Sequence, residues 1–397
     1  MVARRWRQRK VNALVRTRTR KTISHRGGRA LIAIFAVAFL LRIGAGVAAH
    51  AWRDAPRERN SLLAPSIAAA RSFGFDHREP PIARGDGSDR VRTSVDAPFY
   101  PYLLAAFRVL GRQVGDDRAF ILLLALQAAV GAALVAPVFR IGRRMFGVQV
   151  AIAGAALAAV YPGFVLAAAV LRPTVWQVTG FSVAFLALLR LCHQPSREAA
   201  VTCGVLSGLV ALTQPAFLWI MAAALAGAIV MTRAQRRAVA LTGALSLAIA
   251  VLVISPWLLQ RHLADGGFLF ARSAGSLRSS QELRTAVSLG SRAVLFWASA
   301  PDWGSPHRLW YALPYAALLV LAVAAAVSMR RWLRYYLPAL GAFAAATLVY
   351  AIAAGGPQER MPFEPLLFLF SAEGALLPAR LAVARARRRG RWIFDGD

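Results

Sequence analysis

The stretch that decides the fold is residues 30–51, ALIAIFAVAFLLRIGAGVAAHA. It is about as long as the ~20 apolar residues that carry a helix across a bilayer, and its one charge is Arg42. A secretory signal has a shorter apolar core and a small-residue cleavage site, so the run reads as an uncleaved first span. The 29 residues before it hold eleven Lys and Arg and no acid. Such a tail acts as a cytoplasmic topology determinant and as a contact for anionic headgroups. Composition agrees with the membrane reading. The chain has 397 residues, 58% hydrophobic and only 17% charged, with a mean hydropathy of +0.50. A soluble chain carries about 25% charged residues. The net charge of +30 comes almost wholly from arginine. These arginines lie between apolar runs, which favours membrane topology over nucleic-acid binding.

Nine further apolar runs follow, at about 118–139, 148–162, 174–192, 199–213, 215–232, 238–259, 309–328, 335–354 and 363–380. The predicted fold class is all-α and polytopic, with about ten transmembrane helices. The prolines at Tyr161-Pro162 and Gln214-Pro215 leave the count open at those two places. Even-numbered spans end at Arg140, Arg143 and Arg144, at Arg197, at Arg233, Arg236 and Arg237, and at Arg330, Arg331 and Arg334. That is the positive-inside pattern, with both termini cytoplasmic. The organisation read from it is a basic tail at 1–29, a membrane domain at 30–380 and a second basic tail at 381–397.

Both long connections, about 52–117 and 260–308, then fall on the extracytoplasmic side. Loops of such length are functional or unstructured as a rule. The first holds nine of the chain's 18 acids: Asp54, Glu58, Asp76, Glu79, Asp86, Asp89, Asp96, Asp116 and Asp117. Residues 98–110 and 61–73 are apolar but too short to span, which suggests helices lying at the membrane surface. The aromatics Phe99, Tyr100, Tyr102, Trp257, Trp303 and Trp310 fall at predicted interfaces, where an aromatic belt is the plain reading and contact with a sugar or a prenyl chain the functional one. Cys192 and Cys203 read as small buried hydrophobes. His262 and His307 have no paired ligand spacing, so no metal is expected, and no cofactor motif is present. Nor is there a phosphate-binding loop or a dinucleotide fingerprint. Acids within the spans are confined to Glu364 and Glu373, which argues against an ion-coupled transporter.

Eight segments in order resemble the superfamily C glycosyltransferases, specifically the bacterial relatives of protein O-mannosyltransferases. They are LLR (40–42), IAAARSFGF (67–75), DAPFYPYLLAAF (96–107), Arg118 to Gln127 followed by FRIGRRMFG (139–147), AAVYPGF (158–164), GLVALTQP (208–215), SPWLLQRHLADGGF (255–268) and ERMPFEPLLFLF (359–370). The resemblance implies a multi-pass enzyme of the bacterial cytoplasmic membrane. Its donor is a polyprenyl-phosphate-linked sugar, and its acceptor is an extracytoplasmic glycan, lipid or protein. Its partners are those two substrates and membrane lipids, with no nucleic acid. Three departures stand out. The family's Asp-x-x-x-Tyr pattern in the first loop is absent, its Glu at the start of the fourth span is missing from LRPTVWQ (171–177), and Gln214 stands where the family has Arg.

Transfer to a hydroxyl needs a carboxylate to take its proton. The candidates are Asp54 and Glu58, close to the first span, and Asp96, beside the aromatic-proline segment. A lipid phosphate calls for arginine, whose planar fork donates two bonds and stays charged. Arg261, Arg272 and Arg360 are the candidates near span ends. Tyr100 and Glu364, at the mouths of their helices, complete the predicted substrate-binding set. The altered acid motif supports a second reading, an inactive relative that binds polyprenyl lipid or scaffolds envelope assembly. A lipid or solute transporter comes third.

Overall fold

The computed structural model describes residues 28–48, 97–265, 289–298, 308–353 and 358–394. Among them every regular element is helical, as the sequence predicts: α1 (Gly28–Ala48), α2 (Phe99–Val114), α3 (Asp116–Ala133), α4 (Val135–Met145), α5 (Val148–Val160), α6 (Pro162–Ala169), α7 (Thr174–His193), α8 (Arg197–Ala211), α9 (Ala216–Met231), α10 (Arg236–Asp265), α11 (Leu289–Ala298), α12 (Arg308–Ser328), α13 (Leu337–Ala353) and α14 (Glu364–Phe394). Each of the ten apolar runs falls on one of these helices or on a joined pair. By length and composition five are able to cross a bilayer, or six when α5 and α6 count as one bent span. The shorter apolar helices, α9 with 16 residues and the Ala312–Ser328 part of α12, fall below the ~20 a straight crossing needs. The fold is thus an all-α, polytopic membrane bundle.

Prolines account for the breaks. Pro137 has no N–H for the Ala133 carbonyl, and α3 passes into α4 there, within one 30-residue span Asp116–Met145. At Tyr161 the backbone is extended (φ −60°, ψ 121°), and α6 leaves α5 at 44°. Gln214-Pro215 does something different. It turns the chain back, so that α8 and α9 run in opposite directions. Pro256 lies inside α10, and the Ser255 hydroxyl donates to the Leu252 carbonyl (2.8 Å) that proline leaves without its helical donor. Gly147, with φ +107°, makes the turn after the arginine-rich end of α4, a backbone conformation that a side chain would strain. Ser196 caps α8 by accepting from the Ala199 N–H at 3.2 Å.

The bundle packs α8 along α10, α9 along α13, α12 along α14 and α4 along α5. At one end, Phe146 stacks on Tyr336 with ring centroids 4.9 Å apart, and Arg144 donates to the Leu186 carbonyl at 3.3 Å. At the other, Phe181 meets Phe363 edge-on at 4.9 Å and the Phe99 N–H donates to the Leu212 carbonyl at 3.2 Å. Helix α2 forms over the stretch expected to lie at the membrane surface. It packs against α3 on Tyr100, Leu104 and Ala105 and leaves Tyr102 half exposed. Residues 61–73 lie outside the described residues. Cys192 and Cys203 are both buried and free.

Candidate functional site

Arg360, Glu364 and Tyr100 lie at the Phe363 end of the bundle. Arg360 ends the connection into α14, just before a 3-10 turn at Met361–Phe363. It has no exposed surface. Its Nε donates to Glu364 Oε1 at 3.1 Å, and the pair spans i and i+4 with both side chains fully buried. Its Nη1 donates to the carbonyls of Phe296 and Trp297 at 2.9 and 3.0 Å, and its guanidinium carbon lies 3.8 Å from the Tyr315 ring centroid. One cation therefore joins three helices: the last turn of α11, the first third of α12 and the start of α14. Helix α11 belongs to the predicted second loop. It is held again by Trp297 Nε1, which donates to Thr347 Oγ1 on α13 at 2.8 Å, and by Phe296 stacked on Tyr350 at 5.4 Å.

Tyr100 opens α2, in the predicted first loop, and is also buried. Its hydroxyl donates to Gln127 Oε1 on α3 at 3.0 Å, and Gln127 Nε2 donates to the Val170 carbonyl at 3.4 Å. Gln177 on α7 reaches the Thr213 carbonyl in the same way, at 3.4 Å. Side-chain amides thus satisfy carbonyls of the irregular segments between α6 and α7 and between α8 and α9. This is the arrangement an apolar surround requires of non-helical backbone. Tyr100 and Trp257 are enclosed by protein, so the aromatic belt does not describe them. Trp257 packs with Ala211 and Ile254.

Asp54, Glu58, Asp96 and Arg272 lie outside the described residues. Arg261 falls on the last turns of α10. Among the described residues no group of three His, Cys, Asp or Glu side chains converges. The second acid in the spans, Glu373, is buried where α14 packs against α12. There the Ser371 hydroxyl reaches the Leu318 carbonyl at 2.6 Å.

Sequence reasoning missed Arg42 as a structural centre. It is 1% exposed and part of α1, a helix that is otherwise mostly at the periphery. Its Nη1 donates to the carbonyls of Ala38 and Ala159 at 2.9 and 3.0 Å, and its Nη2 to Ala158 at 3.1 Å. The side chain borders a small pocket with Gly131, Leu134, Phe164 and Thr179. The readable signal was an arginine inside an apolar run together with a proline inside another.

Residues 95–259 match the family model described as dolichyl-phosphate-mannose-protein mannosyltransferase. No curated protein matches the chain by sequence. Among solved structures it is similar to the archaeal oligosaccharyltransferase AglB from Archaeoglobus fulgidus in complex with an inhibitory peptide and a dolichol-phosphate (15% identity, TM-score 0.57, covering 91% of this chain and 52% of that one). It is also similar to the Archaeoglobus fulgidus oligosaccharyltransferase tethered to an acceptor peptide (16% identity, TM-score 0.51, 90% and 50%). The chain spans about half the length of those enzymes. The fold is similar to that of these oligosaccharyltransferases over nine-tenths of this chain.

Proposed function

We propose that this chain, with the fold of the superfamily C glycosyltransferases and their family match over residues 95–259, transfers a sugar from a polyprenyl-phosphate donor to an acceptor hydroxyl on the extracytoplasmic face of a bacterial cytoplasmic membrane. The observation that carries the reading is that α2, from the first loop, and α11, from the second, meet the bundle at the same end, where Arg360 and Glu364 lie. A site needing residues from both loops has its scaffold there.

In this reaction the acceptor oxygen attacks the anomeric carbon, and the bond from that carbon to the donor phosphate oxygen breaks. The lipid phosphate leaves with the electron pair, and a carboxylate takes the acceptor proton. Asp54, Glu58 and Asp96 are the candidates for that carboxylate. Arg261 and Arg272 suit the departing phosphate, because guanidinium matches its geometry and charge. Arg360 is already engaged by Glu364 and two carbonyls, so its part is to hold α11 and α14 around the site. Tyr100 likewise sets α2 against α3.

The test uses the full chain in vesicles with polyprenyl-phosphate mannose as the first donor and other polyprenyl-phosphate hexoses and pentoses in parallel. Release of polyprenyl phosphate is measured for the native chain and for Asp54→Asn, Glu58→Gln and Asp96→Asn. One of the three is expected to lose at least a hundredfold. Native-level release from all three removes these acids as the base. Donor binding without release, from every sugar tried, favours the inactive lipid-binding reading that the altered acid motif suggests.

A further inference from the structure

Arg42 sits where a break in one span meets the face of another. Pro162 has no N–H, so the Ala158 carbonyl four residues earlier loses its helical donor. The extended backbone at Tyr161 ends the ladder of α5 at the same point. Exposed carbonyls at a helix C-terminus are costly in an apolar surround, and a cation there is favoured by their aligned dipoles. Arg42 meets both needs. Its Nη2 and Nη1 donate to Ala158 and Ala159. Gly131 on α3 lets the guanidinium pass: a Cβ at that position would come within 2.8 Å of Arg42 Nε.

The bonds also run the other way, as a hold on α1. In that helix only Ala38, Arg42 and Gly46 are buried, one face at intervals of four. Ala38 on that face shares one apolar cluster with Ala132, Val135, Phe139, Ala151, Ala155 and Ala159. Small side chains along a helix permit sliding and rotation, since alanine offers few interlocking shapes. A guanidinium bonded to two adjacent carbonyls fixes both height and rotation.

We propose that Arg42 is a positioning residue. It fastens α1 to the carbonyls released at the Tyr161-Pro162 break and so fixes the height and rotation of the helix that precedes, in sequence, the candidate acids Asp54 and Glu58. The consequence for catalysis rests on the glycosyltransferase reading above; the fastening does not.

The experiment separates fastening from simple satisfaction of carbonyls. Ala38→Cys and Ala155→Cys are introduced into a chain with Cys192→Ala and Cys203→Ala. The pair is oxidised in isolated membranes and read as the fraction of chain still joined after cleavage at a protease site inserted after Gly87. Arg42→Lys, which retains a charged donor, is expected to join within twofold of the parent, and Arg42→Met at least fivefold less. Pro162→Ala is then added to Arg42→Met. It gives Ala158 back an N–H and so keeps the variant folded, but it supplies no link to α1, and joining stays low. Parental joining in Arg42→Met, or its return with Pro162→Ala, overturns the proposal. Either result is independent of whether the chain turns over a sugar donor.

Discussion

A guanidinium without exposed surface must replace its water with other partners, and Arg360 does so with a carboxylate, two backbone carbonyls and a tyrosine ring. Removing one member of a buried ion pair leaves the other charge uncompensated, at a cost of about 3–5 kcal/mol. Replacing both by apolar groups of similar size costs much less. Arg360→Met alone is therefore expected to lower the melting temperature in detergent sharply, and Arg360→Met with Glu364→Leu to recover a large part of the loss. A double variant as unstable as the sum of the singles sinks this account. The i, i+4 spacing of this pair was plain in ERMPFEPLLFLF. Its hold on Phe296 was not, because 64 positions separate donor and acceptor and nothing in the local pattern links them. Arg42 was legible as a charge in an apolar run, but its partner at Ala159 lies 117 positions away.

Helix existence was readable because apolar length is itself the signal in a membrane chain, and each predicted run lies on a helix. How the helices end was less readable. Tyr161-Pro162 and Gln214-Pro215 look alike in sequence, yet the first bends one span and the second reverses the chain. At the first break Arg42 takes the released Ala158 carbonyl, at the second Gln177 reaches the Thr213 carbonyl, and both donors come from distant elements. How closely two helices approach is equally hidden. Gly341 on α13 faces the backbone of α9, and a Cβ there would lie 2.6 Å from the Ala223 carbonyl oxygen. Small residues allow such backbone contact where lipid supplies no hydrophobic drive between helices. Gly341→Leu is expected to separate α9 from α13 and cost roughly 1–3 kcal/mol, typical of overpacking. Gly44→Leu on α1, where nothing lies within 4 Å of the added carbon, is the control. Equal melting temperatures for the two variants defeat the close-packing argument.

Across the described residues, one end of the bundle is almost purely basic and the other mixes arginines with acids. Arg140, Arg143, Arg144, Arg190, Arg197, Arg233, Arg236, Arg237 and Arg334 gather toward the Phe146–Tyr336 end, with Glu198 the one acid among them in the described residues. The opposite end carries α2 and α11 and mixes both signs, with Asp116, Asp117 and the Arg360–Glu364 pair beside Arg108, Arg112, Arg118, Arg172 and Arg292. An excess of arginine on short connections orients a chain with that end in the cytoplasm. By that rule α2 and α11 are expected to share the outer compartment, which a site built from both loops requires. In a chain with Cys192→Ala and Cys203→Ala, single cysteines are placed at three exposed positions: Gln113 on α2, Leu289 on α11 and Gln235 before α10. A membrane-impermeant maleimide added to intact cells is expected to label positions 113 and 289 at least tenfold more than 235, and all three equally after permeabilisation. Protection of either 113 or 289 in intact cells would place the two loops in different compartments. It would leave no single surface on which a donor sugar, an acceptor and a first-loop carboxylate meet.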